Sequence, residues 1–163
     1  MRRSFRFAVS LAGLGVLLVC ASLIFAHGGQ AAPGKPSTAT FRSLMQTVAA
    51  GWNEGDARKA ADCFTEDAVY LEPPDRQFYS GRPALYEFFG GAKKPEPPMK
   101  MTWHHLAFDE EAQVGFGEYT FQVNRRYHGV VVVRIRNGKI ANWREYQYES
   151  PLEWKEFVRK NEF

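Results

Sequence analysis

Cysteine is scarce in this chain: the 163 residues hold two, Cys20 and Cys63, too few for a disulfide framework. Cys20 lies in a leading apolar run, so the folded part carries one free thiol, for which a buried structural role is the default. An excess of charge of one sign is also lacking. The formal net charge of +3 comes from Arg2, Arg3 and Arg6, since removing three of the 21 basic residues leaves 18 against 18 acidic ones. A neutral domain has no electrostatic footprint for nucleic acid, which excludes that class of partner. The sequence has no glycine-rich phosphate loop, no nucleotide fingerprint, no cysteine–histidine metal spacing and no internal repeat. No metal and no cofactor is therefore expected.

Long apolar runs are limited to one, Phe7 to Ala26. It follows the three arginines and precedes the small residues Gly28 to Ala32, in the order of a secretory signal. About 20 apolar residues also suffice to span a bilayer. Residues 1–32 thus read as a signal peptide or an N-terminal membrane anchor, and the two stay open. Either one places the rest outside the cytoplasm, secreted, periplasmic or tethered. Contact with a membrane is expected only through this segment, if it is uncleaved. Residues 33–40 read as a linker and 41–163 as one domain.

That domain has ample material for a core, with 45% hydrophobic and 15% aromatic residues in the chain. Phe41, Leu44, Met45, Val48, Ala49 and Trp52 recur at helical spacing. Asn53-Glu54-Gly55 ends that helix, and Asp56 caps a second. Residues 68–72 form a short strand stopped by Pro73-Pro74. A third helix carries Pro83 in its first turn and Leu85, Phe88 and Phe89 inward. Residues 99–108, 113–123, 129–136 and 139–148 read as strands, the last two joined by the hairpin turn Asn137-Gly138. Ser150, Pro151 and Glu153 predict a capping box for a short final helix with Trp154, Phe157 and Val158 on its apolar face. The layout is α+β: a cone-shaped, curved antiparallel sheet packed on three N-terminal helices, with a short C-terminal helix.

Four stretches carry a specific resemblance: Trp52 to Asp56, Phe64 to Tyr70, Gly81 to Phe89, and Asn137 to Tyr146. Together they resemble the SnoaL-like branch of the nuclear transport factor two superfamily, which includes ketosteroid isomerases, polyketide cyclases, dehydratases, epoxide hydrolases and non-enzymatic modules. The resemblance implies a small-molecule pocket in the cone and leaves enzyme or binding module open. It also implies a homodimer joined through the outer sheet face.

The isomerases' base ends the first strand just before a proline, a position held here by Glu72. With Glu72 inward, alternation turns Tyr70 inward too. The same comparison turns Met101, Trp103 and His105 inward, then Phe116, Glu118 and Thr120, then Val130, Val132 and Arg134, then Trp143, Glu145 and Gln147. Hairpin register agrees: Asn137-Gly138 sets Val132 against Trp143 and Val130 against Glu145, and a two-residue turn at Glu110-Glu111 sets Trp103 against Glu118. The expected pocket is lined by Trp103, Phe116, Glu118, Val132 and Trp143.

Within it, Glu72 reads as a general base or as a rim carboxylate in water. Tyr70 or His105 would orient or donate, and Glu145 would be a second acid without a basic partner. Glu118 can instead pair with Arg134 across strands. His104 and His105, as neighbours on a strand, point to opposite faces, and His128 sits at a turn facing solvent. Position 145 resembles an acid of the epoxide hydrolases, but Glu118 and Thr120 stand where those enzymes need an Arg and an Asp. The isomerases' oxyanion donors correspond to Val48 and Val132, so steroid isomerisation in the usual manner is not expected. The reaction class that fits is cofactor-free proton transfer on a small apolar molecule: isomerisation, dehydration or cyclisation. The competing class is a non-catalytic ligand-binding or dimerisation module.

Overall fold

The computed structural model describes residues 34–94 and 99–161. Residues 1–32, expected to be a signal peptide or membrane anchor, lie outside the described residues. Among those described, no helix is long and apolar enough to cross a membrane.

Helix α1 (Thr38–Glu54) begins inside the stretch read as linker, because the Ser37 hydroxyl accepts the Thr40 amide and caps it. Its buried face holds Phe41, Met45, Val48, Ala49 and Trp52. Gly55 ends it in the left-handed conformation, φ 66°. Helix α2 (Ala57–Ala61) starts at Asp56, whose Oδ1 accepts the Lys59 amide at 2.9 Å. The two helices press together at Gly51, where an added Cβ would lie 2.6 Å from the Ala60 nitrogen.

Strands β1 (Phe64–Glu72) and β2 (Gln77–Ser80) lead into helix α3 (Arg82–Phe88). Strands β3 (Lys100–Asp109), β4 (Val114–Val123), β5 (Arg125–Arg136) and β6 (Lys139–Glu149) follow, then helix α4 (Trp154–Val158). They form one six-stranded curved sheet in the order β2-β1-β6-β5-β4-β3. The sheet is mixed, because β1 lies parallel to β6 while every other neighbouring pair is antiparallel. β1 starts four residues before the expected strand, and β2 was not expected at all: it is short and follows a proline turn.

The inner face of the sheet closes on α1. Phe41 stacks on Phe108, Trp103 Nε1 donates to the Met45 carbonyl at 2.9 Å, and the Asn53 side chain exchanges two hydrogen bonds with the Met101 backbone. Cys63 is buried, its Sγ toward the Lys59 carbonyl, and burial pushes its thiol up to about 11.

Strand parity departs from the expected pattern in three places, each with a local cause. The hairpin at Asn137-Gly138 does pair Arg136 with Lys139, but the register shifts two residues further on. The pairs become Val133 with Trp143 and Val131 with Glu145. A bulge leaves Ile140 and Ala141 both buried. Val131, Val133 and Ile135 therefore face the core, and Val130, Val132 and Arg134 turn outward.

The β3–β4 connection is the second place. Asp109 pairs with Val114 across a four-residue turn, not the two-residue turn expected. That longer turn moves the register by two residues and keeps its parity. A register shift between Trp103 and His105 sets inward Trp103 against Tyr119. Gly115, Gly117, Tyr119 and Phe121 therefore face inward, and Phe116, Glu118 and Thr120 outward. Aromatic rings lie on the two glycines: a Cβ at Gly115 would sit 2.3 Å from Phe41, and one at Gly117 2.6 Å from Trp103.

The third is that register shift itself. The extra residue lets His104 and His105 both reach the outer face, where His104 meets Thr120 and His105 meets Glu118. β5 also begins earlier than expected, since Val123 pairs with Arg125 around Asn124, which has φ 58°.

Helix α4 docks its apolar face on that outer face, as Trp154 stacks on His104 and Phe157 packs on His128. The capping box does not form. Glu153 occupies the N-cap without a side-chain bond and is drawn instead to Arg126, while the buried Ser150 hydroxyl accepts the Leu152 amide.

Candidate functional site

Inside the cone, β1 and β6 run side by side and project Tyr70, Glu72, Trp143, Glu145 and Gln147 toward the helices. Tyr70 and Trp143 are direct neighbours in the ladder and their rings stack 5.5 Å apart. β4 adds Tyr119 from the opposite wall. The centre of this group is Glu145, only 4% exposed. Its Oε1 accepts the Tyr70 hydroxyl at 2.6 Å, and its Oε2 accepts the Tyr119 hydroxyl and the Trp143 indole N–H, each at 3.0 Å.

All three donors are neutral. Burial therefore raises the Glu145 acid above its ordinary value, with the donors pulling the other way and Glu72 adding to the rise. Burial likewise raises the hydroxyls of Tyr70 and Tyr119, and the Glu145 charge raises them further, so both stay protonated as donors.

Glu72 is also 4% exposed, so it is not a rim carboxylate bathed in water. Its Oε2 accepts the Gln77 and Gln147 amides at 3.1 Å each, and its Oε1 meets the exposed Arg76 at 3.2 Å. Beside Glu145 lies a cavity of about 40 Å³, lined by Trp52, Tyr70, Gln77, Tyr119, Glu145 and Gln147, with half-buried Phe88, Met99 and Phe121 also in its wall. That volume holds about one water molecule or one small functional group.

Of the residues expected at the site, the structure brings Tyr70, Glu72, Glu145 and Trp143 together. It separates four others. His105, Phe116, Glu118 and Val132 lie on the outer face for the register reasons given above. There Glu118 pairs with His105 at 2.7 Å rather than with Arg134, which opposes Val114. Trp103 is inward but serves the core through Met45 and Tyr119. His128 is no solvent-facing turn residue: it is 2% exposed beneath α4, and its Nε2 and Nδ1 bind the Leu152 carbonyl and Thr120.

Sequence reasoning missed Tyr119, Gln77 and the cavity-facing Trp52. The register shift between Trp103 and His105, which sets Trp103 against Tyr119, is what turns Tyr119 inward. Among the described residues, no three His, Cys, Asp or Glu side chains converge as a metal-binding group.

A cone-shaped α+β domain with a small, aromatic, carboxylate-floored cavity is the class this geometry defines. The profile of the SnoaL-like domain matches residues 45–143, more than half of the chain. The chain belongs to the SnoaL-like family. Among solved structures, it is similar to a protein with a cystatin-like fold from Methylobium petroleophilum, at TM-score 0.63 and 22% identity over 74% of this chain and 82% of that one. A nuclear-transport-factor-two-like protein from Burkholderia xenovorans gives TM-score 0.59 and 19% identity over 77% and 94%. An LEH-like epoxide hydrolase of M. tuberculosis gives 0.58 and 14% over 69% and 86%. At these identities the likeness establishes the fold alone. No curated protein matches the sequence.

Proposed function

We propose that this chain is a small-molecule pocket protein that performs cofactor-free proton transfer, of the isomerase, dehydratase or cyclase type, on a mostly apolar substrate. The observation that carries this reading is Glu145, a buried carboxyl held by two phenols and an indole beside a cavity. A raised acid can hold or release a proton near neutral pH, and a dry surrounding strengthens its effect on a bound group. Glu145 gives or takes the proton. Tyr70 and Tyr119 orient its carboxyl, and Glu72, fixed by two amides, is the second carboxylate. His105 has no part in this arrangement.

Relatives described as isomerase and as epoxide hydrolase/cyclase-like enzymes lend the reading support from the fold. The second reading is a non-catalytic ligand-binding or dimerisation module. The small cavity favours it, as do the apolar side chains on the outer face, Phe116 at 46% and Tyr146 at 48% exposure among them. We also propose a homodimer through that face, and export directed by residues 1–32, the latter from sequence alone.

The test is a carboxyl-carbon NMR titration of Glu72 and Glu145 in the full chain. A Glu145 value above its ordinary value of 4.5 is expected. A value at or below it would remove the proton-transfer role and leave the binding module.

A further inference from the structure

Two residues of the Glu145 cavity wall each carry a buried polar atom with no partner among the described residues: Trp52 its indole N–H, a donor, and Gln77 its Oε1, an acceptor. Trp52 is 4% exposed, packed edge-on against Phe89, Phe121 and Trp143, so its indole has no route to bulk water. Gln77 spends its amide N–H on Glu72, and turning the amide over would set its oxygen against that carboxylate. A native fold leaves few buried polar atoms unpaired, and those it leaves call for a bound group. Here one donor and one acceptor are missing partners beside the same cavity.

A hydroxyl accepts and donates at once, so it complements both atoms. We propose that the cavity binds the hydroxyl of an apolar alcohol, with Trp52 Nε1 donating to its oxygen and Gln77 Oε1 accepting its proton. The proposal rests on the pocket reading above and names the substrate class for it. At about 40 Å³ the cavity takes the hydroxyl and little more. The apolar body lies outward, against Phe88, Met99 and Phe121, which are half-buried and carry no polar side-chain group. Trp52 is thus a positioning and specificity residue for the ligand's oxygen, separate from the Glu145 carboxyl.

The probes are n-pentanol and n-hexane, which differ by a terminal hydroxyl in place of a methyl. Each is titrated into the full chain and followed by the indole ¹⁵N–¹H signals of the four tryptophans, assigned by Trp→Phe variants. The expected result is a downfield shift of the Trp52 indole proton with n-pentanol and none of that kind with n-hexane. Trp52→Phe then weakens n-pentanol about three- to tenfold, as loss of one hydrogen bond does, and changes n-hexane by less than about twofold. If Trp52→Phe fails to fold, the wild-type indole shift together with Gln77→Met, expected to weaken n-pentanol selectively, decides the matter. Binding of both probes with no selective effect at Trp52 or Gln77 overturns this inference and leaves the pocket reading standing. Binding of neither, with the cavity holding water only, overturns both.

Discussion

Replacing Glu145 by leucine isolates what the buried cluster contributes to stability. Glu145→Leu keeps a side chain of similar size but strips the acceptor from three donors: the Tyr70 and Tyr119 hydroxyls and the Trp143 indole. Each buried donor left without a partner costs about 1–3 kcal/mol. The phenols can rotate toward the adjoining cavity, so a net loss of about 3–5 kcal/mol is expected, a large part of the roughly 5–15 kcal/mol that holds a domain together. Glu145→Gln keeps one acceptor oxygen and should lose only about 1–2 kcal/mol.

The assay is equilibrium urea unfolding of the full chain at neutral pH, reading the midpoint at unchanged slope. A leucine variant as stable as the glutamine variant, or more stable than wild type, would refute the argument. It would mean that the carboxyl's burial costs as much as its three hydrogen bonds return.

The same variants fix the sign of a pH effect. Burial raises the folded-state Glu145 acid above its ordinary value of 4.5, so the folded chain binds that proton more tightly than the unfolded chain does. Its contribution to stability is fully present below that ordinary value. It declines as pH rises, by at most about 1.4 kcal/mol per unit for one proton, until the folded value is passed. Glu145→Gln removes that segment of the decline, and a wild-type profile parallel to that of the glutamine variant would contradict the raised acid.

Three further outcomes are expected. Gly117→Ala pushes a methyl to within 2.6 Å of Trp103 and should cost about 1–3 kcal/mol in urea unfolding, whereas alanine at exposed Phe116 next to it should cost much less. Cys63, buried with its thiol raised to about 11, should resist a thiol-exchange reagent at pH 8 until urea exposes it, and rapid labelling of the folded chain would contradict the burial. Tyr146→Glu puts a charge amid the outer-face apolar side chains, so the dimer proposed there should fall to monomer in light scattering. An unchanged mass for variant and wild type would remove that face as the interface.

The fold was legible because its signals are local. The Asp56 cap, Gly55, Pro83 and the Asn137-Gly138 turn mark boundaries through backbone geometry, and apolar residues at helical spacing mark α1. The site was legible where one strand could be anchored at a known point: Glu72 before its proline orients Tyr70, and Trp143 and Glu145 keep their parity because they lie beyond the β6 bulge. The family's register turns Phe116 inward, and an apolar side chain there gives no sign of the slip. In β4 the core face is instead glycine, since the rings of Phe41 and Trp103 arrive from elsewhere and need the space. The run Val130 to Val133 carries no alternation at all, so nothing in it could flag a slip.

By itself, then, the sequence determined the α+β class and the order of the helices and the meander strands, through contacts spanning a few residues. The family resemblance supplied the inward side of Glu72 and Glu145 and turned Glu118 the wrong way. Only the tertiary structure decided which face each central strand shows the helices. A single extra residue in a turn or a bulge reverses every side chain beyond it, and the energy that selects among such registers comes from packing against α1, far away in the chain. The same packing brought Tyr119 onto Glu145 and left Trp52 and Gln77 facing a cavity with their bonds unmade.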